Sequence, residues 1–88
     1  MNANKKYGKR LLLRKKLNKK TPCKLYAYIY RAHITKKDIL KMLELTMSKE
    51  YFRKFKYMTM MEMCNYNKDD VIEAIVDIKV GYGRMILC

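Results

Sequence analysis

The sequence predicts a small all-α protein. About four helices form one domain behind a basic N-terminal arm, and a short terminal strand is the one alternative element. Three observations lead there. The chain has 88 residues, half of them hydrophobic; that supplies a core, and only one, since cores rarely divide below about 100 residues. It holds 3 Gly and 1 Pro, too few for the turns of a sandwich or barrel. Hydroxyl and amide residues also recur just ahead of apolar side chains spaced i, i+3, i+4, the pattern by which helices begin and bury one face.

The arm spans residues 1–20 and the helical domain residues 21–88. Residues 1–24 carry ten Lys/Arg and no acid, so the stretch NKKYGKRLLLRKKLNKK should stay extended or frayed in isolation. Tyr7, Leu11, Leu12, Leu13 and Leu17 give partial helical spacing, so it becomes helical once phosphates neutralise its lysines; the leucines also favour docking on the body. Thr21-Pro22 then starts the first helix of the domain, a hydroxyl cap followed by proline where a missing N–H costs nothing. Leu25, Tyr28, Ile29 and Ala32 share its inner face. The same stretch, LYAYIYRAHI, alternates like a strand, and the cap decides for helix.

Thr35 and Asp38 have capping-box spacing and open a second helix whose stripe is Ile39, Leu40, Met42, Leu43 and Leu45, with Lys36, Lys37 and Lys41 facing out. Ser48 caps a third, with Tyr51, Phe52, Phe55 and Met58 as buried bulk and Lys49, Arg53, Lys54 and Lys56 exposed. Thr59 with Glu62 repeats the capping box, so this helix breaks near Met58. Asn67 caps the last, with Asp69 and Asp70 in its first turn and Val71, Ile72, Ile75, Val76 and Ile78 on its face; Gly81 ends it. Met85-Ile86-Leu87 packs back on the core or adds the terminal strand. Met58, Met60, Met61 and Met63 cluster, and they fill an irregular core or form an adaptable partner surface.

Charge is the most informative feature. The formal net charge is +13. It falls along the chain: residues 25–56 carry eight Lys/Arg against three acids, and residues 57–88 three against five. Such a gradient is a directed field, one end of which suits a polyanion.

TKKDILKMLELTMSKEYFRKFK, residues 35–56, resembles a helix-turn-helix DNA-binding motif: a capped helix, a turn opened by a hydroxyl, then a basic helix. The resemblance implies a second helix in the DNA major groove. Carried over by position, the base- or phosphate-reaching residues are Lys49, Arg53, Lys54 and Lys56 behind Ser48, with Tyr51 on the backbone or a base. The departures are Glu44 or Leu45 where the turn carries a small residue, and Leu40 where the first helix does. The arm adds Lys5, Lys6, Lys9, Arg10, Arg14, Lys15, Lys16, Lys19 and Lys20 as phosphate contacts. Duplex DNA is the favoured partner, bound by a phage or mobile-element regulator. Tyr7, Tyr26, Tyr28 and Tyr30 beside lysines also permit RNA, with rings stacking on unpaired bases. In size and character the chain is also similar to the small inhibitors that phages direct at host machinery, anti-CRISPR proteins among them. That implies binding to a larger nucleoprotein, and a ribosome-associated protein is a variant of the same idea.

Other functions find little in the sequence. Cys23, Cys64 and Cys88 are widely spaced without a CxxC, and His33 is the single histidine; neither a zinc site nor any other cofactor is expected. His33 has no carboxylate beside it in sequence, and Gly81-Tyr82-Gly83 follows a helix instead of opening one, so no enzyme is expected. No apolar run spans a bilayer, and Leu11-Leu12-Leu13 is too short for a signal core, so a cytoplasmic protein is expected. The arm's charge suits anionic lipids, but without Trp or a clean apolar face it ranks behind nucleic acid.

Overall fold

The computed structural model describes residues 3–81, with side chains from residue 8 onward. Among these residues six helices run α1 (Ala3–Asn18), α2 (Pro22–Arg31), α3 (Lys36–Thr46), α4 (Lys49–Lys56), α5 (Met60–Tyr66) and α6 (Lys68–Val80). The all-α class is as expected. The count rises from four to six because the break near Met58 separates α4 from α5 and because the arm is itself helical. The expected tail at Met85–Leu87 lies outside the described residues.

The caps set the boundaries. Thr21 Oγ1 accepts from the Lys24 N–H at 3.2 Å, with Pro22 in the first turn. Thr35 and Asp38 exchange two bonds of 3.1 Å, and Thr59 and Glu62 close the second box at 2.8 and 3.2 Å. Ser48 Oγ takes the Tyr51 N–H at 3.3 Å. Asn67 Oδ1 takes that of Asp70 at 3.2 Å. Each bond satisfies an N–H that the helix leaves without a partner.

Two helices stop through left-handed residues. Gly81, φ 104°, ends α6 as expected. His33, φ 59°, ends α2. The Ile34 N–H reaches back to the Ile29 carbonyl at 3.1 Å and that of His33 to Tyr30 at 3.1 Å, a Schellman closure with buried Ile29 and Ile34 at its two ends. His33 was expected on the helix; it terminates it.

Helix α6 is the centre. α1, α3 and α5 all pack on it, α2 packs on α5, and α4 packs on α3. Val71, Ile72, Ala74, Ile75 and Val76 are buried around most of its circumference, as a helix enclosed by neighbours requires. Leu17, Leu25, Ile29, Ile39, Leu43, Phe55 and Met63 complete the core. Leu45 departs from expectation: it is 56 % exposed and not on the inner stripe of α3.

The leading segment departs most. Residues 3–18 form a helix lying on α6, not a frayed arm, while the expected docking of its leucines holds for Leu13 and Leu17. Leu17 is fully buried, a gain of about 1.5–3 kcal/mol. Arg10 Nη1 donates to the Gly81 carbonyl at 2.8 Å, and its Nη2 to Asp77 Oδ1 at 2.6 Å. Arg14 forks onto Glu73 through Nε and Nη2, the latter at 3.0 Å. Lys68 Nζ donates to the Asn18 carbonyl at 2.8 Å. Residues 10, 14 and 18 thus meet 77–81, 73 and 68, an antiparallel register in which each turn of α1 has a counterpart one turn back along α6.

Candidate nucleic-acid interface

Arg10 and Arg14, expected to hold phosphate, are turned inward. Among the described residues the ion pairs join these two arginines to Asp77 and Glu73. The planar guanidinium suits this work, since its fork bridges a carboxylate and a helix-end carbonyl at once. The two arginines and Leu13 and Leu17 therefore define the inner side of α1.

The outer side carries the lysines. Lys9, Lys15, Lys16 and Lys19 are exposed, with Leu12 among them at 71 % exposure. Among the described residues no lysine lies in an ion pair. Lys20 is half-buried, its ammonium 5.8 Å from the centroid of the Tyr28 ring, an attraction between cation and ring face. Lys5 and Lys6 belong to the first turns of α1, and their side chains lie outside the described residues.

On α4, Lys49, Arg53, Lys54 and Lys56 are exposed, and Glu50 is the single acid of the helix. Tyr51 is a correction. It is half-buried, its hydroxyl accepts a hydrogen bond from Asn67 Nδ2, and its ring meets Phe55 edge-on at 5.4 Å and Tyr66 at 6.2 Å. It ties α4 to the start of α6 and is not presented to a nucleic acid. The connection between α3 and α4 is the pair Met47-Ser48, because Glu44, Leu45 and Thr46 all remain helical. That is shorter than the three to four residues of the usual helix-turn-helix turn.

The two cationic helices rest on different neighbours, α1 on α6 and α4 on α3. Lys37 and Lys41, exposed on α3, line a shallow groove floored by Leu40 and Phe52 beside α4. Lys36 spans the same groove, donating to the Lys56 carbonyl at 3.1 Å. Glu44, also exposed, lines the groove with them, so the lysines of α3 stand beside one acid next to α4. These lysines were expected to face out but were not among the expected phosphate contacts; their outward spacing on the second expected helix was the available signal.

Electrostatics elsewhere is structural. The N–H and hydroxyl of Thr35 hold the Asp38 carboxyl below its ordinary range, and Thr59 does the same for Glu62. Desolvation, with Asp69 and Glu73 nearby, raises Asp70. Burial pushes the Cys64 thiol up to about 11, which disfavours the reactive thiolate. Among the described residues, no three His, Cys, Asp or Glu side chains group to hold a metal ion, and no helix is long and apolar enough to cross a membrane.

Comparison of the chain with protein-family models, curated proteins and solved structures finds no match.

Proposed function

We propose that this protein binds nucleic acid by its phosphates, through the outer face of α1 and the exposed face of α4. One observation carries this reading. Arg10 and Arg14 take Asp77 and Glu73 of α6, and among the described residues Lys9, Lys15, Lys16 and Lys19 are exposed and lie in no ion pair. A fold that gathers like charges this way bears their repulsion until a polyanion neutralises them. Arginine forks brace the helix, and lysine point charges remain for a backbone that carries a charge at every step.

Duplex DNA is the first arrangement to test, with Lys49, Arg53 and Lys54 of α4 toward the major groove, as a phage or mobile-element regulator would use them. A second form is an anti-CRISPR-like inhibitor or ribosome-associated protein seated on a larger nucleoprotein, which would cover Leu12, exposed among the outer lysines of α1. Fluorescence anisotropy with labelled duplex DNA over a salt series separates them. Neutralising roughly six to eight phosphates makes log K fall with log salt at a slope of about −5 to −7. Alanine at Lys49, Arg53 and Lys54 lowers that slope if α4 meets the duplex. Weak duplex binding that ignores these substitutions, together with retention on a nucleoprotein, supports the second form.

A further inference from the structure

Helix α2 offers a surface that the phosphate reading does not use. Its inner side is Leu25 and Ile29, both buried. Its outer side divides into two strips at the 100° step of a helix. Tyr26 and Tyr30, one turn apart, form the first, at 39 % and 75 % exposure. Among the described residues neither hydroxyl has a hydrogen-bond partner. Lys24 and Arg31, both exposed, form the second, and half-buried Ala27 lies between the strips without bulk. The helix contains no acid. Tyr28, the third tyrosine, is half-buried under Lys20 and takes no part.

We propose that this face binds unpaired nucleotides, with bases stacked on Tyr26 and Tyr30 and the intervening phosphates held by Lys24 and Arg31. The inference rests on the nucleic-acid reading above and narrows it: the bound polymer includes a single-stranded stretch. Spacing decides for single strands. Two rings four residues apart on a helix are separated by about 6 Å along its axis, well beyond the ~3.4 Å rise between stacked bases of one strand. Neighbouring bases taken up by the two rings leave each other's stack, which a single strand allows and an intact duplex resists. Lys24 and Arg31, about 10 Å apart on the same scale, bracket such a step. Every base has a face to offer, so the site is tolerant of sequence. The cationic strip without an acid favours a phosphate polymer over a protein partner.

The test uses the full chain with a labelled uridine dodecamer and a labelled 12-base-pair DNA duplex in the same low-salt buffer. Tyr26→Ala with Tyr30→Ala should weaken the dodecamer by about tenfold or more and leave duplex affinity and the dodecamer's salt slope unchanged. Tyr26→Phe with Tyr30→Phe should restore wild-type binding, because stacking needs the ring and not the hydroxyl. Equal losses on both probes, no loss on the dodecamer, or failure of the phenylalanine pair to rescue overturns the proposal. Such outcomes with wild-type binding intact leave the phosphate reading standing. If the wild-type protein binds neither probe, both fall together.

Discussion

Replacing Asp77 with alanine tests how α1 is held. Asp77 is 7 % exposed and Arg10 21 %, with Nη2 and Oδ1 2.6 Å apart. A solvent-exposed pair contributes about 0–1 kcal/mol, while breaking a fully buried one costs about 3–5 kcal/mol. This pair lies between those limits, and Arg10 keeps its bond to the Gly81 carbonyl, so the loss should be about 2 kcal/mol. For a chain of this size the midpoint of thermal unfolding should fall by about 8–16 °C. Urea unfolding of wild type, Asp77→Ala, Arg10→Ala and the double variant forms a cycle whose coupling should be about 1–2 kcal/mol. Amide exchange along Leu11–Leu17 should accelerate in the same variants, because α1 loses one of its two forks. A loss within about 0.5 kcal/mol of zero, or additive single losses, would refute the reasoning that this pair docks the helix.

Further outcomes follow from single residues. His33→Gly should stabilise the protein by about 0.5–1 kcal/mol in urea, since glycine takes the left-handed conformation at φ 59° without a Cβ clash; a destabilised variant would contradict the Schellman ending of α2. Asp38 has its pKa lowered by folding, so its contribution is present above the ordinary carboxylate range and lost as pH falls through the lowered value. The stability gap between wild type and Asp38→Asn should therefore be open at pH 7 and close in strong acid, with a pH-independent gap as the contrary result. Asp70 has the opposite sign: its pKa is raised, so Asp70→Asn should cost less at pH 7 than the same change at Asp38. Buried Cys64 should resist alkylation at pH 8 while exposed Cys23 reacts, as peptide mapping can show; equal labelling of the two would place Cys64 at the surface.

Local features were legible from the chain because their causes are local. Thr21, Thr35, Ser48, Thr59 and Asn67 each cap a residue three positions on, and that spacing is visible in sequence. The stripe Val71, Ile72, Ile75, Val76 is likewise visible, and it belongs to the central helix. What escaped is long-range. The docking of α1 depends on carboxylates some sixty positions away, and a run of lysines and arginines read alone shows only its own repulsion. One signal was available: Arg10 and Arg14 share the four-residue spacing of Glu73 and Asp77, and the only arginines of that segment stand at those places. Tyr51 carried two readings, buried bulk by helical spacing and nucleic-acid contact by the helix-turn-helix resemblance; the first holds, since it packs on the core and its hydroxyl is taken by Asn67. In the candidate interface, the exposure of Lys49, Arg53, Lys54 and Lys56 followed from helical phase, whereas the separation of inward arginines from outward lysines emerged only with the partner helix in place.

That separation is most directly tested on α1. A variant carrying glutamine at Lys9, Lys15, Lys16 and Lys19 keeps every contact to α6, so its unfolding midpoint should match wild type or rise as repulsion is relieved. Its log K for nucleic acid should depend on log salt with a slope shallower by about 3–4 than that of wild type. An unchanged slope with folding intact would contradict the account, since the outer lysines would then hold no phosphate.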